Sequence, residues 1–195
     1  MGRPGSGKDT QAELLAKKFG LAHIISSKII EKVLKSRAAN IGFEGRNYNL
    51  EKERRLQKSG FLVSSGFVSA LISAKIKSLA GRGKGIVMSG SPRTLAELKN
   101  ELPFLEKLYG KNVYFFHIAI SPKEVYVRNL KRHRKDLPEL DTRKVIKKRL
   151  VVFNRQTAPV IKYLKSKRMI FNVNGEQPIA TIHKDILKFL LKISA

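Results

Sequence analysis

Gly2-Arg3-Pro4-Gly5-Ser6-Gly7-Lys8 sets three glycines and a lysine within seven residues, directly ahead of a segment whose apolar residues Ala12, Leu15, Ala16 and Phe19 have helical spacing. Glycines let successive backbone N–H groups converge on one point, the positive end of the following helix adds to their field, and a lysine at its entry neutralises an anion held there. The chemistry this suits is phosphate binding. The run satisfies the first seven positions of G-x-x-x-x-G-K-[ST], but Asp9 stands where the hydroxyl is usual and Thr10 comes one place later.

A second set of candidates is basic. Arg93 lies in Ser89-Gly90-Ser91-Pro92-Arg93-Thr94, Arg128 and Arg132 are four apart and share a helix face, Arg134 opens a polar linker, and Arg149 follows within KKRL. Guanidinium forks pair with phosphate oxygens in bidentate fashion.

Alternating strands and helices must position these groups. The loop runs into a helix over residues 9–19 that Gly20 ends; residues 21–25 read as a short strand, and Ser26 and Ser27 are placed to cap a helix through Leu34. Residues 38–50, rich in Gly and Asn, read as a flap followed by a charged helix ending before Gly60. A core-facing helix over 67–79 leads to a strand at 86–88, and the apolar run 113–120 has the length of a parallel strand buried on both faces. Helices over 122–132 and 142–167, the latter bent near Pro159, flank the linker 133–141, and a strand at 169–173 and a helix over 179–193 follow. This alternation predicts an α/β fold with a parallel sheet. A loop of this kind follows a buried central strand, yet only Met1 precedes the first glycine. An N-terminally incomplete sequence is the expectation; the other reading is a protein that has lost this strand.

With 195 residues and a hydrophobic fraction of 42%, one compact domain spanning 1–195 is expected. The lack of cysteine excludes disulfides and thiolate metal sites, and neither a long apolar run nor a signal-peptide core is present, so a soluble cytoplasmic protein without membrane association is expected. Forty Lys and Arg against fifteen Asp and Glu give a net charge of +25, which favours polyanionic partners. Nucleic acid is a secondary candidate, because no RGG tract, tandem repeat or aromatic-basic ladder accompanies the charge.

With GRPGSGKDTQ at the start, SGSPRT in the middle and RNLKRHRKD before KKRLVVFNRQTAPVI, the chain resembles the adenylate kinase family of nucleoside monophosphate kinases over nearly its whole length. The resemblance implies a P-loop three-layer fold with a monophosphate-binding flap over 26–63 and a short lid over 133–141. It implies transfer of the terminal phosphoryl group of ATP to AMP or another nucleoside monophosphate, aided by magnesium, in a monomer; a kinase-derived nucleotide- or nucleic-acid-binding protein with weak or no transfer is the alternative.

The family's GxPGSGKGTQ has glycine at the place of Asp9, and its DGFPRT has an acid, which orients magnesium-bound waters, at the place of Ser89. By the same resemblance, Lys8, Arg93, Arg128, Arg132, Arg134 and Arg149 surround the transferring phosphoryl group, with Asp136 at the lid base. Gly5, Ser6, Gly7, Asp9, Thr10 and Gln177 join Lys8 and Arg128 in holding ATP, while Ser26, Arg93 and Glu97 face the monophosphate. Glu31 stands where the family has a phosphate-binding arginine; Arg37, Arg54 and Arg55 are candidate substitutes. Phosphoryl transfer is met by positioning and charge neutralisation, with no protein nucleophile required.

Overall fold

The structure is a computed structural model that describes residues 1–43, 45–132 and 138–194. From the loop, the chain forms helix α1 (Lys8–Phe19), strand β1 (Ala22–Ile25), helix α2 (Ser26–Leu34), the strands β2 (Asn40–Phe43) and β3 (Arg46–Asn49), and helices α3 (Leu50–Lys58) and α4 (Ser65–Ala80). Strand β4 (Ile86–Ser89), helix α5 (Leu95–Tyr109), strand β5 (Phe115–Ala119) and helix α6 (Pro122–Arg132) follow. Helix α7 (Arg143–Val152), a π-helical turn (Phe153–Thr157), helix α8 (Ala158–Ser166), strand β6 (Ile170–Asn174) and helix α9 (Ile179–Ser194) complete the described chain.

Strand β1 pairs in parallel with β4, Ile24 opposite Met88, and β5 pairs in parallel with β6, Phe116 opposite Phe171. The expected parallel sheet is thus found as two parallel pairs, since β4 and β5 share no ladder. Met1 runs beside β5: its ammonium donates to the Phe116 carbonyl, and the Ile118 N–H donates to the Met1 carbonyl at 2.9 Å. The Arg3 guanidinium donates to the Ile120 carbonyl. These bonds tie the loop to β5, although no strand precedes it among the described residues.

Helix α1 packs on β1, β4 and α9, and α8 packs on β6, giving helix layers over the strands. Leu15 of α1 meets Ile118, Val173, Ile182 and Ile186 in one core cluster. Helix α4 buries Phe67, Ile72 and Ile76 completely, each contributing about 1.5–3 kcal/mol of apolar burial. The same cluster takes in Ile30, Leu34 and Leu50, so the segment between β1 and α4 packs as part of the body.

Three features differ from expectation. Residues 40–43 and 46–49 pair as antiparallel strands, with Ile41 opposite Tyr48 and Gly45 at φ +74°; the Gly and Asn content of this stretch masks an alternation in which Ile41, Phe43 and Tyr48 face the core. Helix α5, for which the sequence reading supplied no element, carries Pro103 in its interior, a residue that normally argues against helix. Near Pro159 the chain widens instead of simply bending: the Ala158 N–H donates to the Phe153 carbonyl five residues back. Pro159 itself occupies the first turn of α8, where its missing N–H is tolerated.

Candidate active site

Gly7, at φ +84°, is the N-cap of α1 and no side chain caps the helix, which leaves the first-turn N–H groups to an anion. Gly5 has φ +79°, and a Cβ there would lie 2.6 Å from the Asn129 side-chain nitrogen. Asn129 is fully buried on α6 and donates to the carbonyls of Pro4 at 3.1 Å and Val125 at 2.7 Å. It clamps the loop from behind, a role not read from the sequence. The available signal was a polar residue one helical turn beyond the apolar Val125, on the core-facing side of α6.

The loop opens onto a cavity of about 400 Å³ whose lining brings together Gly5, Lys8, Asp9, Arg93, Arg132 and Arg149. Enclosure lowers the Lys8 ammonium to about 8; Asp9 opposes the shift, and Arg93, Arg149 and Arg132 add to it. Such crowding of cations in the unliganded protein is what a polyphosphate would relieve.

Arg93 is aimed by its surroundings: its Nε donates to the Gly90 carbonyl at 2.7 Å and its backbone N–H to Glu97 at 2.8 Å. Arg132 pairs with Asp141 at 2.6 Å, and Arg149 donates to the Leu140 carbonyl at 3.4 Å. Both face the cavity from the two sides of the segment 133–137, where Arg134 and Asp136 fall outside the described residues.

Other expected site residues lie elsewhere. Arg128 is not in the cavity lining; it donates to Glu124 at 2.6 Å and to the Gly175 carbonyl at 2.8 Å, joining α6 to the loop after β6. Gln177, also away from the lining, donates to Asn174 and Asp185. Ser6 is buried with its hydroxyl unpartnered among the described residues. Thr10 lies on the exposed side of α1, in a shallow groove with Asp9, Glu13 and His23. Ser26 does not cap α2, whose N-cap is Ile25 without a side-chain bond; it is buried as the first residue of the helix, near Gly90, while Ser27 reaches the cavity.

Glu97 is buried and fully engaged: it accepts from the Arg93 backbone, the Thr94 hydroxyl and the Ser91 hydroxyl, the last at 3.0 Å. The Ser91 hydroxyl also lies 2.6 Å from Glu101. One hydroxyl hydrogen cannot serve two carboxylates, so one acid must carry a proton. Burial pushes Glu101 up to about 8, against the Ser91 hydrogen bond and with a further push from Glu97. Burial raises Glu97 too, but bonds from the Arg93 backbone, Ser91 and Thr94 oppose it. A neutral Glu101 donates to Ser91, Ser91 donates to Glu97, and Glu97 fixes the backbone of Arg93.

The native state therefore holds the Glu101 proton where an unfolded chain, with a carboxyl near 4.5, has released it. Stability on this account is undiminished below about pH 4.5, falls as pH rises through that interval and carries the full penalty above about pH 8. Glu101→Gln is expected to raise the melting temperature at pH 9 by roughly 3–10 °C and to change it little at pH 5. Thermal unfolding followed by circular dichroism at the two pH values measures this; an equal change at both contradicts it.

The adenylate kinase family model matches residues 1–169. The chain is 30% identical to the adenylate kinase of Chlamydia pneumoniae over 215 aligned positions, covering 98% of this chain and 96% of that protein. It is 27% identical to the adenylate kinase of Phocaeicola vulgatus over 192 positions, with the same coverage, 98% and 96%. Human adenylate kinase isoenzyme 5 matches at 31% over 176 positions, which span 90% of this chain and 29% of that longer protein. The match runs through the glycine loop, the Arg93 turn and the arginine-bearing helices that meet at one cavity, and the chain belongs to the adenylate kinase family of phosphotransferases.

Proposed function

We propose that the cavity transfers the terminal phosphoryl group of ATP to AMP. The observation that carries this reading is the convergence of Lys8, Arg93, Arg132 and Arg149 from four separate parts of the chain on one cavity at the mouth of the glycine loop. The loop and the α1 N-terminus take the β and γ phosphates, Lys8 neutralises them, and Arg132 and Arg149 face the charge that spreads over the equatorial oxygens during transfer. Arg93 holds the acceptor phosphate in line. Arg128 acts from outside the cavity by fixing the carbonyl of Gly175. The segment 26–63 serves as the acceptor-side flap; of the short lid expected over 133–141, residues 133–137 lie outside the described residues.

Two of the flap arginines are engaged elsewhere. Arg54 donates to the carbonyls of Leu34, Ser36 and Ala38, Arg55 pairs with Glu51, and Glu31, on the cavity wall, pairs with Lys35 at 2.8 Å. No flap arginine is in the cavity lining among the described residues, so Arg93 is the principal cation for the acceptor phosphate, and Ile30, Val63 and Val68 offer apolar surface to its nucleoside.

A magnesium ion carried in on the triphosphate would meet oxygen chemistry at the loop mouth in the Asp9 carboxylate. Among the described residues no cluster of three His, Asp or Glu side chains forms that would hold a metal unaided; an ion of this kind is bound mainly by phosphates and water. When bound, such an ion adds positive charge to the phosphate oxygens.

Because Lys8 sits at about 8 in the unliganded protein, an anionic phosphate must raise it, and ATP binding at pH 8–8.5 is expected to take up a fraction of a proton that is absent at pH 6.5. Calorimetry in buffers of different ionisation enthalpy reads this directly, and Lys8→Met should abolish the uptake. A wild-type binding enthalpy independent of the buffer at pH 8–8.5 contradicts the placement of Lys8 on phosphate.

The reaction itself is tested by ADP formation from ATP with AMP, UMP, CMP or GMP. AMP is expected to give the highest kcat/KM; background rates with every acceptor overturn the proposal.

A further inference from the structure

Helix α5 buries two acids one turn apart, Glu97 and Glu101, in a chain whose fifteen Asp and Glu stand against forty Lys and Arg. Residues at this spacing share a helix face. Among the described residues neither acid forms an ion pair; both turn on Ser91, whose hydroxyl oxygen lies 3.0 Å from Glu97 and 2.6 Å from Glu101. The second Glu101 oxygen is buried without a partner among the described residues, which a neutral carboxyl tolerates far better than a carboxylate. The bonding pattern therefore places the proton on Glu101 and gives the chain a direction: Glu101 donates to Ser91, and Ser91 donates to Glu97. Glu97 carries this to the site, since it lines the cavity and accepts from the Arg93 backbone N–H at 2.8 Å, whereas Glu101 stands behind it, outside the lining.

The surroundings leave this pair to itself. Helices α4 and α8 pack against α5, and the buried residues they bring are apolar apart from Ser69, which lies 3.5 Å from the Asn100 amide nitrogen. Lys75 and Lys77 of α4 and Lys162 and Lys165 of α8 are exposed, Lys77 over the Phe104 ring. The π-helical turn shares a core cluster with α5 through Phe153, and its Arg155 is exposed; Met1 joins the same cluster, its ammonium bonded to the Phe116 carbonyl. The charge that acts on Glu101 is thus Glu97, and Glu97 has Arg93 besides.

We infer that Glu101 is a positioning residue for the acceptor phosphate: as a neutral acid it completes the chain that runs through Ser91 and Glu97 to the Arg93 turn, and loss of its proton loosens that turn. The inference rests on the phosphotransfer reading of the cavity. An ionised Glu101 faces the Glu97 carboxylate across a single hydroxyl hydrogen that can serve only one of them, so repulsion and a lost bond both fall on the group that fixes the Arg93 backbone. Burial puts the Glu101 carboxyl at about 8, and acceptor binding weakens as pH rises through that value.

The test is steady-state kinetics of the full chain at pH 7 and pH 9.5, with AMP and ATP varied in turn, for the wild type, Glu101→Gln and Ser91→Ala, each assayed below its melting temperature. The AMP phosphate carries the same charge at both pH values. KM for AMP in the wild type is expected to rise roughly tenfold between them, below the 10²-fold that a 1 Å misplacement can cost. Glu101→Gln, whose amide donates to Ser91 at either pH, should keep the wild-type pH 7 value at both. Ser91→Ala cuts the chain in its middle and should raise KM for AMP already at pH 7. Any change of KM for ATP with pH, which Lys8 brings, should be alike in wild type and Glu101→Gln. A KM for AMP that is flat in the wild type, a rise that Glu101→Gln retains, or a Ser91→Ala protein with the wild-type value at pH 7 overturns the assignment. Absence of transfer by the wild type at both pH values defeats the phosphotransfer reading instead, so the two failures are distinguishable.

Discussion

Replacing Lys8 by alanine is expected to lower kcat/KM for phosphoryl transfer about 10³-fold, at the upper end of the effect of removing one preorganised charge donor from a reacting phosphate or oxyanion. Desolvation and the charges of Arg93, Arg149 and Arg132 disfavour the ammonium, and Asp9 favours it. It is therefore held at a cost that nucleotide phosphates offset. The same enclosure predicts an unusual companion result. Removing this charge should leave the melting temperature of the unliganded protein unchanged or higher, because a poorly solvated cation is lost and no buried partner is left without a bond. Steady-state kinetics and thermal unfolding of Lys8→Ala check both; a loss of activity matched by a large loss of stability would place Lys8 in the scaffold.

Arg93→Ala is expected to lower kcat/KM for the acceptor about 10²–10³-fold, with KM for AMP raised and KM for ATP nearly unaltered. The alanine retains the backbone N–H that Glu97 accepts, so the turn persists and only the guanidinium is lost. No flap arginine stands in the cavity lining among the described residues, and Arg54 satisfies three carbonyls while Arg55 is paired with Glu51. Kinetics with each nucleotide varied in turn decide the matter. Equal effects on both KM values would mean that Arg93 serves the donor as well.

The phosphate loop was legible in the sequence because its chemistry is local: glycine spacing, the lysine and the following helix lie within about twenty residues. The strands β1, β4, β5 and β6 were legible for the same reason, as short apolar runs between helices. What clamps the loop was not, since Asn129 acts on Pro4 across 125 positions of chain. The arginines of α6 show the limit most clearly. Arg128 and Arg132 share a helix face, yet Glu124 and the Gly175 carbonyl draw the first away while Asp141 steers the second to the cavity. Spacing specifies a face; it does not specify which partner a long side chain finds there.

The central claim is that the cations around this cavity pass a phosphoryl group directly between two nucleotides. It is tested most directly by mixing the protein with ATP labelled on the γ phosphorus, unlabelled AMP and magnesium, and separating the products of a single turnover. The account predicts that the label appears in the β position of ADP, that no labelled inorganic phosphate accumulates, and that Lys8→Ala slows the transfer about 10³-fold. Label released as inorganic phosphate, or retained in ATP while AMP is present, would contradict it.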